Sequence, residues 1–430
     1  MSESTTIASL LTPAGQRVLD SVDTTMLTVD PLQAATTLRK RMRTQSTELD
    51  ESWLREVTSA ALTQARLRSR AVAKLGPVAE RLYFTSTGLE QATRGAVARY
   101  RARRIARLLS PHAVVADLCC GIGIDLLAMA RAGLTVRGMD IEAETVRIAR
   151  ANLAALGLDD VASVTQADVS QAGTVDPSSV AAVFCDPARR DNRRRIFDPD
   201  AYVPPWSTAV DLAERAPAAC LKVAPGIDHG LVPPQAGAEW ISVGGELKEA
   251  ALWFGDLAPT APRQATLLPG GASGADLIGT HDMGHSLSVA PGLGDPPVAA
   301  PRRYLYEPDA AVIRAGLVAE AAARVDGALL DPQIAYITSD HLVATPFCRS
   351  FEITDVLPFA AKRLRALVRQ RSIGDITIKK RGSAVDVEQL RRQLRPAGPN
   401  SATFVLTRIG TKPFCFVCSE ATAPEPANPT

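Results

Sequence analysis

The spacing of apolar residues changes twice along the chain. From about residue 12 to residue 110 they recur at helical intervals, as at Leu54, Val57, Ala61 and Leu62, among abundant Ala and Arg. Positions three and four apart share a helix face, and Ala and Arg favour helix, so this region is predicted helical. At Ala113 the pattern shortens. Val114-Val115-Ala116-Asp117-Leu118 predicts a buried strand that ends in a glycine turn. Helix is predicted over 124–132, strand over 136–140, helix over 143–156, and strands over 162–166 and 180–185. Strands over 220–223, 239–243 and 250–254 would complete a parallel, doubly wound sheet.

From residue 258 to 301 the chain is rich in Gly, Pro and Ala, including Pro269-Gly270-Gly271 and Gly292-Leu293-Gly294. Only 265–268 carries a strand pattern there; the rest is predicted as connector. A further globular unit follows, and the Pro- and Ala-rich tail predicts disorder. The expected organisation is a helical region over 1–107, a nucleotide-type α/β domain over 108–268, a connector over 269–302, a small α/β domain over 303–419 and a tail over 420–430.

The 430-residue length fits several domains, since single cores rarely exceed roughly 250–300 residues. A net charge of +2 excludes a uniform polycation, so any polyanion site must come from local clusters. No basic stretch followed by an apolar core opens the chain, and no apolar run reaches the roughly 20 residues a membrane span needs. The 7 cysteines are scattered and odd in number, unlike a disulfide framework. A cytoplasmic protein with reduced thiols, no membrane association and no metal is expected. The sequence leaves the oligomeric state open.

The candidate cofactor loop is Asp117-Leu118-Cys119-Cys120-Gly121-Ile122-Gly123. A strand, a glycine turn and a helix let backbone approach a ligand at the carboxyl end of a sheet. An NAD site would place a third Gly three residues after Gly123, where Leu126 stands. Asp117 at the strand end suits a cation instead, and S-adenosylmethionine (SAM) carries a sulfonium and an ammonium but no phosphate. Asp140 ends the second strand, where an acid can accept from ribose hydroxyls. Asp168 follows the third strand and could accept from an adenine amine, with Ile141 and Val169 flanking the ring. Each Asp alone could be a cap or turn residue. Three at successive strand ends favour a site, which would also include Cys119, Gly121 and Gly123.

These motifs, with Gly138-Met139-Asp140-Ile141 and Cys185-Asp186-Pro187-Ala188-Arg189, resemble class I SAM-dependent methyltransferases. The resemblance implies a Rossmann-like seven-stranded sheet and transfer of a methyl group from SAM. Gly88-Leu89-Glu90-Gln91-Ala92-Thr93-Arg94, Lys222-Val223-Ala224-Pro225-Gly226-Ile227-Asp228-His229 and Tyr304-Leu305-Tyr306-Glu307-Pro308-Asp309 extend it. With them, nearly the whole chain resembles bacterial methyltransferases that carry a THUMP-like C-terminal domain.

Asp186, Pro187 and Arg189 are the candidate catalytic residues, at the end of the fourth strand. Methyl transfer is an in-line displacement that needs alignment and desolvation more than strong acid–base chemistry. Enzymes acting on exocyclic amines place an Asp or Asn, two prolines and an aromatic here. This chain keeps the Asp and one Pro but has Ala188 and Arg189 after them. Enzymes acting on pyrimidine C5 need a cysteine two residues before a proline on the next strand. Aligned on Pro225, that position is Val223, and Cys220 lies three residues earlier, so C5 chemistry is disfavoured.

Cys415 and Cys418 form a lone CxxC on a predicted strand, where residues three apart face opposite sides. They are expected in the core rather than on zinc, which needs a second ligand pair. Basic clusters occur at Arg99, Arg101, Arg103, Arg104 and Arg107, and at Arg189, Arg190, Arg193, Arg194 and Arg195. Others lie at Lys362, Arg363, Arg365, Arg369 and Arg371, and at Lys379, Lys380 and Arg381. One cluster is commonly a solvated face; several favour a polyanion. The sequence therefore points to an RNA methyltransferase acting on tRNA or rRNA, with Arg190, Lys379, Lys380 and Arg381 as substrate contacts. The flexible connector would let two domains grip one ligand. A non-catalytic SAM- or RNA-binding protein, and a methyltransferase for small molecules or protein, are the alternatives.

Overall fold

The computed structural model describes residues 3–45, 50–171, 173–189, 202–271, 276–278 and 284–421. The chain forms two compact units. The first comprises 1–244, 248–260 and 268–284, the second 245–247, 261–267 and 285–430.

The first unit opens with α1 (Glu3–Leu10), α2 (Pro13–Asp20), α3 (Thr24–Thr28), α4 (Pro31–Gln45) and α5 (Glu51–Leu75). Asp50 caps α5 by accepting from Trp53 N at 2.8 Å. The predicted stripe of Leu54, Val57, Ala61 and Leu62 is buried on it. The helices α6 (Ser86–Gln91) and α7 (Gly95–Leu108) follow.

The α/β part alternates β1 (Val114–Leu118), α8 (Ile124–Arg131), β2 (Thr135–Asp140), α9 (Ala143–Leu156), β3 (Ala162–Gln166) and β4 (Ala182–Cys185). Then come α10 (Trp206–Arg215), β5 (Ala218–Val223), β6 (Gly237–Val243) and β7 (Glu246–Gly255). These seven strands run in the order β3-β2-β1-β4-β5-β7-β6, with β7 antiparallel to β5. Their order is that of the Rossmann-like sheet the resemblance implies, within a sheet of nine strands rather than the seven expected. All seven residues of β6 are buried, as a strand covered on both faces requires.

The second unit includes β8 (Arg263–Leu268) paired antiparallel with β9 (His285–Ser288). The strand β9 falls inside the stretch predicted as connector. The remainder is β10 (Tyr304–Pro308), α11 (Ala310–Arg314), α12 (Val318–Arg324), β11 (Ala328–Asp331), β12 (Ile334–Ser339) and β13 (Cys348–Pro358). It ends with α13 (Ala361–Gln370), β14 (Ile373–Lys380), α14 (Val387–Leu394), β15 (Asn400–Ile409) and β16 (Lys412–Glu420). Seven strands form a mixed sheet in the order β11-β12-β10-β13-β16-β15-β14. One face buries Phe404, Leu406 and Cys415 against α13 and α14. Val405, Phe416 and Cys418 pack in a separate cluster. The two cysteines of the CxxC thus enter different cores, as the two-residue period of a strand dictates.

Candidate functional site

A cavity of about 730 Å³ opens at the carboxyl ends of β1, β2, β4 and β5. That is where ligands bind in doubly wound sheets, and the volume suits a nucleoside-sized ligand. The Cys119–Ile122 turn lines it, as do Asp140, Ile141, Asp168, Val169, Asp186 and Pro187. The structure therefore brings most of the sequence-predicted site together.

The turn itself is shaped by backbone. Gly121 (φ 55°) and Gly123 (φ 88°) sit in the left-handed region, and a side chain at Gly123 would meet Ala149 of α9 at 3.4 Å. Cys119 adopts the same region at φ 65°, which for a non-glycine residue costs about 1–2 kcal/mol. Such strain persists where the surroundings hold it, often at functional loops. Asp140 is one support: its Oδ2 accepts from Gly121 N at 2.9 Å and its Oδ1 from Glu142 N at 3.0 Å.

Asp168 lines the cavity but also closes its own turn, accepting from Ser170 N at 2.9 Å and from the Ser170 hydroxyl at 2.6 Å. Those bonds hold its carboxyl below the ordinary range. Asp117 is fully buried on β1 and does not itself line the cavity. Among the described residues neither carboxylate oxygen has a hydrogen-bond partner. Burial first, then the charges of Asp125 and Asp186, push its carboxyl well above the ordinary range.

A buried chain of polar groups runs from the site toward α7 and β7. Asp186 Oδ2 accepts from Lys222 Nζ at 2.6 Å, and Lys222 donates also to Thr93 Oγ1 at 2.9 Å. The Thr93 hydroxyl donates to Asp125 Oδ2 at 2.5 Å. The guanidinium of Arg101, fully buried, pairs with both Asp125 and Glu249. Burial opposes the Lys222 ammonium, but Asp186, Glu249 and Asp125 outweigh it and hold it above the usual lysine range. Four carboxylates (Asp117, Asp125, Asp186, Glu249) thus surround two cations (Arg101, Lys222), an excess of two acids.

Sequence reasoning missed Thr93, Asp125, Arg101 and Glu249 as site-linked residues and gave Lys222 no role. Thr93 and Lys222 lie inside motifs that carry the resemblance, but neither has a local chemical signature. Asp125 left a usable signal, as a lone acid in an apolar run where an unpaired charge is costly; Glu249, next to Lys248 and close to Glu246, left none. The N-terminal region also contributes more than expected, since Thr85, Gly88, Gln91 and Thr93 form one wall of the cavity.

Other expectations change in place. The arginines of α7 do not form a phosphate-facing row: Arg101 is internal, Arg99 is buried and Arg104 stacks on Trp253 at 4.4 Å. Arg99, Arg101 and Arg104 serve packing and ion pairing. His229 stacks on Trp240 with centroids 4.8 Å apart. Arg189 lies in a two-residue ribbon, Ala188–Arg189 paired with Tyr202–Val203, and its side chain is outside the described atoms. Arg190 and the arginines at 193–195 lie outside the described residues. Cys185 and Cys220 are both fully buried. A hydrogen bond with Cys119 and then burial push the Cys185 thiol well up, and burial pushes Cys220 up to about 12. In the second unit Lys379 pairs with Glu307, Lys380 donates to Val385 O at 3.0 Å, and Arg381 donates to Ala335 O at 3.1 Å.

The strand order and the cavity define a Rossmann-like methyltransferase. Residues 115–197 match the family described as a methyltransferase domain, and residues 348–420 the family described as THUMP domain-like. Residues 3–71 match a family described as a domain of unknown function. An uncharacterized S-adenosylmethionine-dependent methyltransferase of Mycobacterium tuberculosis (strain ATCC 25618 / H37Rv) is 36% identical over 381 residues. The match covers 86% of this chain and 97% of that relative. Its counterpart in strain CDC 1551 / Oshkosh matches equally. The chain belongs to the SAM-dependent methyltransferases that carry a THUMP-like C-terminal domain, and its cofactor is SAM. A crystal structure described as a methyltransferase of Porphyromonas gingivalis W83 has the same fold, with TM-score 0.70 at 20% identity. That match covers 89% of this chain and 94% of the other. Among the described residues no helix is long and apolar enough to cross a membrane, and no cluster of three or more His, Cys, Asp or Glu could hold a metal.

Proposed function

We propose that the protein methylates a base of structured RNA, tRNA or rRNA, at nitrogen rather than at carbon. The observation that carries this reading is the joining of a methyltransferase domain to a THUMP-like domain in one chain. A small-molecule or protein methyltransferase has no obvious use for the latter.

The cofactor residues fit SAM. Asp117 stays buried behind the cavity wall, beneath a turn whose Gly121 leaves open space where a side chain would stand. Asp140 would accept from the ribose hydroxyls, and Ile141 and Val169 would flank the adenine, with Asp168 beside it. SAM, when bound, supplies an electrophilic methyl carbon on its sulfonium.

The chain's own residues do the rest. Asp186 accepts a hydrogen bond from the substrate amine and aims its lone pair; Lys222 fixes the carboxylate in one orientation. Pro187, buried beside it, stiffens the turn. Enclosure of the site strengthens these interactions by excluding water. Cys185 and Cys220, buried and held as neutral thiols, are unsuited to the covalent attack that C5 methylation needs. That favours nitrogen.

Tritium-labelled SAM, incubated with the protein and RNA from cells lacking the gene, should label ribonuclease-sensitive material. Label confined to protein or small molecules would favour the alternative reading. Asp140→Ala should weaken S-adenosylhomocysteine binding by about 2–3 kcal/mol, roughly thirty- to hundredfold, for two lost bonds to a charged acceptor. Calorimetry showing unchanged affinity would remove Asp140 from the cofactor site.

A further inference from the structure

The basic residues of the second unit fall into two groups. Several of its arginines and lysines are paired internally: Arg303 with Glu352, Arg371 with Asp355, Lys379 with Glu307 and Arg408 with Asp331. Lys380 and Arg381 each donate one hydrogen bond to a backbone carbonyl. The helices α13 and α14 differ. Lys362, Arg363, Arg365 and Arg369 are exposed on α13, a helix that contains no acid. Arg392 and Arg395 are exposed at the end of α14. Among the described residues none of these six has an ion pair.

The inner sides of both helices are accounted for. Leu364, Val368, Leu390 and Leu394 are buried against Ile376, Phe404 and Leu406 of the sheet. The outer sides bound a groove of about 460 Å³, lined by Lys362, Arg365, Arg392 and Arg395 with Gln389 and Gln393. Among the described residues no carboxylate lines it. Asp386 caps α14, accepting from Gln389 N at 2.9 Å, and feels the charge of Arg392, but it stands outside the groove.

Four unpaired cations along one groove repel one another, and only counterions relieve this in the free protein. A ligand with several regularly placed negative charges displaces those ions and gains their entropy. The two glutamines add neutral donors that can reach phosphate or ribose oxygens. A single small anion would use one or two of the cations, whereas a polyanion uses all four. The N-terminus of α13, which no side chain caps, adds a further bias toward negative charge at one end of the groove.

We propose that the α13–α14 groove holds the phosphodiester backbone of the RNA. This rests on the RNA reading above and gives that RNA a place in the second unit. The cations at 379–381, which the sequence alone puts forward, are engaged within the unit; the groove cations are not.

The test uses the full chain and bulk unmodified bacterial tRNA as probe. The groove variant is Lys362→Gln, Arg365→Gln, Arg392→Gln and Arg395→Gln together. The control removes the same charge elsewhere on the unit: Arg303→Gln, Arg324→Gln, Arg349→Gln and Lys412→Gln. Filter binding between about 50 and 200 mM KCl should show the groove variant losing about tenfold in affinity or more, with its salt slope reduced by about 2–3. The control should lose less than about threefold by the same measure. Thermal unfolding of both variants that matches the wild type, with circular dichroism unchanged, would show that they fold. Equal losses in the two variants would overturn the groove and leave only general electrostatics. So would RNA binding that survives in the groove variant, or vesicles containing phosphatidylglycerol that compete for the groove while RNA does not. A wild-type protein that binds no RNA would overturn the RNA reading itself.

Discussion

Asp186→Ala should lower methyl transfer about hundredfold or more while S-adenosylhomocysteine affinity stays within about twofold. The magnitude is that of removing one oriented group at a reacting centre. The separation follows from place: Asp186 follows β4 and faces Lys222, whereas Asp140 holds the Gly121 turn. Removing the carboxylate leaves Lys222 half-stranded. Its side chain is only 15% exposed, against 32% for Asp186, so some loss of stability is expected as well. Asp186→Asn keeps the shape and an acceptor oxygen and should fold as the wild type does. Both variants should therefore be compared by single-turnover methylation, by calorimetry and by thermal unfolding. A stable Asp186→Ala protein with undiminished turnover would refute the role.

Arg101→Ala should have the largest effect on stability, about 3–5 kcal/mol. The arginine is wholly buried, stacks over Phe184 at 4.6 Å and is the ion-pair partner of both Asp125 and Glu249. Its removal strands two buried carboxylates at once. Glu249 already lies above its ordinary range because burial outweighs Arg101 and Lys222. In the variant Glu249 should rise further, so the folded state binds more protons than the unfolded one. Stability of the variant should then fall as pH rises from the unfolded carboxylate range, about 4 to 4.5, toward neutrality. Urea unfolding of wild type and variant at pH 5 and pH 7.5 checks this; a deficit that does not grow with pH would argue against two stranded acids. Because Asp125 also holds Thr93, and Thr93 binds Lys222, the damage should reach the site.

Most of the fold was legible because buried parallel strands and amphipathic helices leave periodic apolar patterns. The helix over 143–156 and the strand over 162–166 were placed at their observed limits. The strand over 180–185 was predicted two residues long at its start, since Val180 is buried without joining β4. The strand β9 was missed because its burial rests on Leu287 alone, with His285, Ser286 and Ser288 exposed. The turn at Cys119–Ile122 that lines the cavity was legible from its glycines and the acid at the end of β2. The polar chain behind it was not, because Thr93, Arg101, Asp125, Lys222 and Glu249 come from separate parts of the sequence. Arg101 shows the cost most clearly. In sequence it is one of five arginines on a helix with no acid; in the fold it is the buried partner of two. The same blindness affected 379–381, whose acid and carbonyl partners lie elsewhere in the chain.

Mass spectrometry of nucleosides from cells with and without the gene tests the central claim most directly. The account predicts one N-methylated nucleoside in tRNA or rRNA that disappears with the gene, returns with the wild-type protein and does not return with Asp186→Ala. An unchanged set of modified nucleosides in both RNA classes, from a protein that binds SAM and transfers its methyl group to something else, would contradict it.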